Sequence, residues 1–265
     1  MKMYTTITVA LFLVLSCTNQ EQQKPIPLPV ANAQEKEMQD AIAAFPDSLL
    51  LRENLVQYYR DNGNYDMAIA ATIAAIKKDS NNARLWDIKG TLHFEDGDTL
   101  NAIGSFEKAI EFFPDPQYIM SLGTLYAETK NVKALDMADA LLIGKNAKAD
   151  KEALFIKGLY YNYSGDKKKA IIFFDNALAL DYTFMFAYRE KSIALYDLGK
   201  FEPALEVLDK AITLQNNFEE GYYWSGRCLE KLNRTSEAID DYKMALIYDP
   251  EYIEAKDALA RLGVK

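Results

Sequence analysis

Histidine is almost missing from this chain of 265 residues: there is one, His93, and only two cysteines, Cys17 and Cys228. Three such residues cannot furnish a four-ligand Cys/His zinc site, and two cysteines leave little for a disulfide scaffold. Basic residues are in deficit, 30 Lys and Arg against 39 Asp and Glu, for a formal net charge of −9. That balance argues against a nucleic-acid binder, whose affinity for phosphate rests on clustered Lys and Arg. The N-terminal apolar run, Ile7 to Leu15 with Thr8 interrupting, falls far short of the roughly 20 residues a spanning helix needs. No phosphate loop, metal-ligand spacing or Ser or Cys nucleophile motif is present, so neither cofactor, metal nor catalytic activity is expected. What is there is a globular composition, 49% hydrophobic and 26% charged, with length for one or two ordinary domains.

The N-terminus reads as an address. Lys2 precedes the short apolar run, as in a secretory signal, and the sequence Val14-Leu15-Ser16-Cys17 follows. This order resembles the lipobox of bacterial lipoproteins, in which a small residue stands before the cysteine that becomes the acylated terminus. The resemblance implies a signal peptide over residues 1–16, lipidation at Cys17 and a place in the bacterial envelope. Position 18 is Thr and not the Asp of the inner-membrane retention rule, which favours the outer membrane. Residues 17–30 then read as a tether, with Pro25, Pro27 and Pro29 at alternate positions favouring an extended chain.

A period of 34 residues organises the remainder. Ala68, Ala102, Ala170, Ala204 and Ala238 fall on it, as do Ala75, Ala109, Ala177, Ala211 and Ala245, each of the second series followed by Ile or Leu. Gly90, Gly158 and Gly226 form a third series, and Gly63, Gly97, Gly165 and Gly199 a fourth, with Asn233 continuing it. Each unit reads as two helices, the fourth series occupying the turn between them, where a left-handed backbone is needed. Units end on a breaker at Pro114 and Pro250. The two alanines of a unit, seven apart, share one helical face, and with the glycine of the preceding helix they should let two backbones approach closely.

These slots resemble the tetratricopeptide repeat, most fully in residues 83–115, where Trp86, Gly90, Gly97, Ala102, Phe106, Ala109 and Pro114 all match. The resemblance implies an all-α, right-handed solenoid of antiparallel helix pairs: a half-unit over 31–48, six units over 49–82, 83–115, 116–150, 151–184, 185–218 and 219–252, and a capping helix over 253–265. The third unit departs. Gly123 comes one residue early, Ala134 two early, and Leu141-Leu142-Ile143-Gly144 offers no clean small-residue slot, so the second helix there is expected to be distorted.

In this family slots 2, 5, 9 and 12 of each first helix line a concave groove, counting from the first residue of the unit. Here they include Arg84, Asp87, Thr91 and Phe94 in the second unit, and Glu152, Phe155, Leu159 and Asn162 in the fourth. The fifth supplies Phe186, Arg189, Ile193 and Tyr196, the sixth Glu220, Tyr223, Arg227 and Glu230. Aromatics beside arginine are the usual composition of binding hot spots, so Phe155, Asn162, Phe186, Arg189, Tyr196, Tyr223 and Arg227 are candidate partner contacts. A protein or peptide would dock there, the arginines taking a carboxylate; the alternative is that the same residues simply fill space between first helices. The family's clamp for chaperone C-termini, Lys in slot 5 and Asn in slot 9, is absent: slot 5 holds Glu53, Asp87, Met120, Phe155, Arg189 and Tyr223, and slot 9 no Asn. His93 and Cys228 are expected to be packing residues, and Lys167 to Lys169 with Asp240 and Asp241 to be solvated. The reading is therefore a non-enzymatic, lipid-anchored envelope scaffold. The alternatives within it are a pilotin-like or outer-membrane assembly lipoprotein, or a lipoprotein that binds a small molecule or glycan.

Overall fold

The computed structural model describes residues 33–143 and 150–264. The signal segment, Cys17 and the tether lie outside the described residues, as does the end of the third unit. Among the described residues there are fourteen helices and no strand. A leading helix, α1 (Ala33–Ala44), precedes six pairs: α2 (Leu49–Asp61) with α3 (Tyr65–Ile76), α4 (Ala83–Glu95) with α5 (Thr99–Phe112), α6 (Pro116–Glu128) with α7 (Lys133–Ile143), α8 (Asp150–Tyr163) with α9 (Lys167–Leu180), α10 (Met185–Asp197) with α11 (Phe201–Leu214), and α12 (Glu219–Lys231) with α13 (Thr235–Tyr248). A closing helix, α14 (Ile253–Arg261), packs on α13. Each helix packs on its neighbours in the chain, and first helices also touch directly, α6 on α8 and α8 on α10 on α12. The all-helical solenoid expected from the period is what forms.

Within a pair the turn is a tight helix cap. Gly97, at φ +81°, donates its backbone N–H to the Phe94 carbonyl at 3.0 Å, and Asp98 donates to the His93 carbonyl at 2.7 Å. Asp98 then accepts from the Asn101 N–H with its side chain, starting α5. Asn233 takes the same left-handed backbone at φ +60°, as its place in the glycine series required. In the third unit the role falls to Lys130, φ +58°, one residue earlier than the period, in step with Gly123.

The alanine series are the seams. Ala68, Ala102, Ala134, Ala170, Ala204 and Ala238 are wholly buried, and so are Ala109, Ala177, Ala211 and Ala245. The glycines of the first helices are not simply points of backbone approach, as the sequence suggested. An aromatic ring sixteen residues later lies over three of them: a Cβ on Gly90 would stand 2.8 Å from Phe106, one on Gly226 2.7 Å from Tyr242, and one on Gly158 would collide with Phe174, whereas Gly123 faces Ile156. The two slots trade volume. Where the first helix carries Val56, the later slot is Thr72, and Ser192 is matched by Leu208, all four buried. Such reciprocity keeps each layer at close-packed density.

The third unit is less irregular than its sequence. Ala134 and Leu141, seven apart, are both buried, with Ala138 between them. A leucine thus occupies the second small slot, and α7 stays regular through Ile143.

Candidate functional site

Polar side chains on the first helices brace neighbouring units through two repeated relationships. Slot 5 of one unit meets slot 2 of the next: Arg84 donates to Glu53 at 2.9 Å, and Arg189 donates to Glu220 at 2.5 Å. Slot 12 meets slot 9 of the next: Arg227 donates to the Tyr196 hydroxyl at 3.2 Å, and Arg261 donates to Glu230 with two nitrogens. The space-filling alternative therefore holds for several candidate residues.

Arg189 is committed on both sides, to Glu220 and to Glu190, whose side chain is buried. It has no free charge for a partner's carboxylate, contrary to the expectation. Arg227 differs. Its guanidinium lies over the rings of Tyr196, Tyr223 and Trp224 and donates to the two tyrosine hydroxyls. Among the described residues no carboxylate pairs with it. It faces a recess of about 600 Å³ at the C-terminal end, whose walls include Glu230, Glu254 and Asp257.

The larger feature is a trough of about 650 Å³, open along one side, that runs from the second to the fifth unit. Phe94 from α4 and Phe186 from α10 stand at its two ends, 48% and 54% exposed. Met120, Leu125, Leu159 and Phe155 form its floor. The sequence placed Phe155, Asn162 and Tyr223 among exposed contacts; all three are buried. Phe155 is covered by Phe184 and Phe186, with ring centroids 5.1 Å and 6.5 Å away. Asn162 turns inward, accepting from Lys167 at 2.8 Å and facing Glu190. Tyr223 packs against Tyr242 and Tyr252. Tyr196 is half-buried beneath Arg227.

Slot 13 was missed. In the third and fourth units slot 12 is occupied by buried Ala127 and Asn162, and the next residues, Glu128 and Tyr163, line the trough instead. A one-residue rotation at each helix end would have been the signal, but it depends on which neighbour covers which face.

Four carboxylates line the trough, Glu95, Glu128, Glu152 and Glu190, against a single guanidinium, Arg189. Burial raises the Glu190 carboxyl above its ordinary range, with Arg189 opposing. Burial also raises Glu128, and the charge of Glu190 adds to the effect. Tyr163 is pushed up to about 12 by burial and by the same two carboxylates.

Elsewhere, His93 is buried with its Nδ1 3.6 Å from Asp98 and no hydrogen bond to it, and burial lowers its pKa. A neutral packing role follows. Cys228 is a buried free thiol pushed up to about 12 by burial. Lys168 and Lys169 are exposed, whereas Lys167 pairs with Asp197 at 2.6 Å. Asp240 is exposed, but Asp241 is half-buried against Ser225, a correction to the view of that pair as solvated. Among the described residues no three His, Cys, Asp or Glu side chains converge as a metal site requires.

Profiles of the tetratricopeptide repeat match residues 53–118, 151–184 and 189–253, more than half of the chain. This chain belongs to the tetratricopeptide repeat family. Among solved structures, a tetratricopeptide repeat protein from Parabacteroides merdae superposes with a TM-score of 0.73 at 18% identity, over 85% of this chain and 90% of that one. PilW, described as a widely conserved type IV pilus biogenesis factor, superposes with a TM-score of 0.61 at 18% identity, over 79% and 97%. At such identities the likeness is one of fold. A curated relative, the Hsp70-Hsp90 organising protein of Plasmodium falciparum, is 30% identical over 98 residues, 37% of this chain and 39% of that protein. The matched region spans less than half the length of the curated relatives. Tetratricopeptide repeats mediate protein–protein interaction, and the trough lies on the first helices that line the family's groove.

Proposed function

We propose that this repeat protein is a non-enzymatic scaffold, anchored by lipid at Cys17 in the bacterial envelope, at the outer membrane as its Thr18 favours, that holds a protein partner as an extended or helical segment in the central trough. The observation that carries this reading is the pair Phe94 and Phe186. Two large aromatic rings lie half in solvent at opposite ends of one apolar channel, which the 40%-exposed Tyr163 also lines. Exposed anchors of this kind are where interfaces concentrate their affinity. A trough open along its side suits a polypeptide better than a small molecule or glycan, which pockets enclose.

The test is affinity capture from native envelope with the Phe94→Ala/Phe186→Ala variant as control. Both side chains are exposed, so the fold should survive, whereas alanine at buried Tyr223 would confuse unfolding with lost binding. The reading expects a defined partner to be recovered by the wild type and lost by the variant. Recovery of the same proteins by both would overturn it. The anchor has its own test: labelled palmitate should enter the wild type and not Cys17→Ser.

Two finer readings stand differently. A pilotin-like or outer-membrane assembly role draws on the lipobox-like start and on the fold shared with PilW, and recovery of a secretin or an assembly factor in the capture would support it. A chaperone-linked role, suggested by the names of the curated relatives, lacks the residues for it, since slots 5 and 9 do not carry the Lys and Asn of the clamp.

A further inference from the structure

The ionic lining of the trough specifies the partner's chemistry. Glu128 is half-buried and, among the described residues, has neither an ion pair nor a hydrogen bond. Glu152 has its Oε2 shielded from solvent without a hydrogen-bond partner, while its Oε1 lies 3.8 Å from a Lys151 amine already bonded to Asp181. Arg189, the one cation in the lining, is consumed by Glu190 and Glu220. A partly desolvated carboxylate without a partner is unfavourable, and a cation placed beside it recovers more than the same contact would in water. An acidic segment would instead meet like charge on an already negative surface.

We propose that the segment held in the trough is cationic and apolar: a polypeptide stretch that lays bulky apolar side chains against Phe94 and Phe186 and sets a Lys or Arg beside Glu128 and Glu152. This deepens the concave-face reading given above and rests on it. It also reverses the polarity expected from the arginines in the sequence. The distance between the anchors, from the second unit to the fifth, requires an occupant with length as well as charge, which separates a polypeptide from a free amine.

The experiment is selection of a displayed library of short random peptides on the full chain, on Phe94→Ala/Phe186→Ala, and on the isosteric Glu128→Gln/Glu152→Gln. Circular dichroism confirms that both variants are folded. Among peptides that the phenylalanine variant fails to retain, Lys and Arg flanked by large apolar residues should be enriched. Their affinity should fall about tenfold in the glutamine variant, the loss of roughly one charge-assisted contact. Enrichment of Asp and Glu, or no charge preference, among those trough-dependent peptides overturns the proposal and leaves the concave-face reading standing. If no retained peptide depends on Phe94 and Phe186, both fail.

Discussion

Arg189 and Glu220 are joined across the boundary between the fifth and sixth units, Nη1 to Oε1 at 2.5 Å. The same guanidinium also holds Glu190, whose side chain is buried. An arginine that stands in a groove slot in the sequence is thus an internal brace. Removing it by Arg189→Met leaves the buried Glu190 carboxylate without its cation, and stability should fall by about 3 kcal/mol. The double variant Arg189→Met/Glu190→Gln should recover most of that loss. Urea unfolding of the three proteins, at an unchanged m-value, measures both effects.

Glycine-to-alanine substitutions should separate two kinds of glycine. At Gly158 the added methyl collides with Phe174, and at Gly226 it would stand 2.7 Å from Tyr242. Each should lower stability by about 1–3 kcal/mol, and Gly158→Ala should be partly rescued by Phe174→Leu. Gly104, within α5, has nothing within 4 Å of such a methyl. Gly104→Ala should raise stability by about 0.5–1 kcal/mol through helix propensity alone. Thermal unfolding of the three single variants compares the signs directly.

Lys130 holds a left-handed backbone that glycine holds in four other units. A lysine Cβ makes that conformation unfavourable by about 1 kcal/mol. Lys130→Gly should therefore stabilise the protein by about 0.5–1 kcal/mol despite the looser unfolded chain. The reverse change at an equivalent turn, Gly97→Ala, should destabilise by a similar amount, read by the same denaturant titration.

The period made the helix pairs, their turns and the alanine seams legible, because each depends on a residue's own slot. The turn at Lys130 was not legible, since nothing in a lysine signals positive φ; only its register with Gly123 does. The regular α7 was hidden for a similar reason: Leu141 is buried in a slot where the period places a small residue. In the candidate site, slots were legible and exposure was not. Phe155 is buried because Phe184, the last residue of its own unit, and Phe186 of the next close over it, while Phe94 has no such cover. The charge of the trough was likewise out of reach of a slot list, because it depends on which acids find partners: Glu53 pairs with Arg84, and Glu128 pairs with nothing among the described residues.

Asp87 gives a pH signature. Its carboxyl is pushed from 3.8 to about 6, first by burial, then by Asp115, with Arg84 opposing. In the unfolded chain it releases its proton near 3.8, so between that pH and about 6 the folded protein holds a proton the unfolded chain has lost. Its contribution to stability is thus present at low pH and is lost as pH rises through the folded value. Asp87→Asn should match the wild type near pH 3.5 and exceed it by about 1–2 kcal/mol at pH 7, the shift discounted for partial solvent contact. Unfolding curves at the two pH values test this.

A photo-reactive amino acid placed at position 186, in the trough, and at position 172, exposed on the second helix α9, tests most directly whether the concave face is the binding surface. Irradiation of cells carrying each variant should give a discrete protein adduct from position 186 and none of that size from position 172. The same adduct from position 172, with none from position 186, would contradict a partner held in the trough.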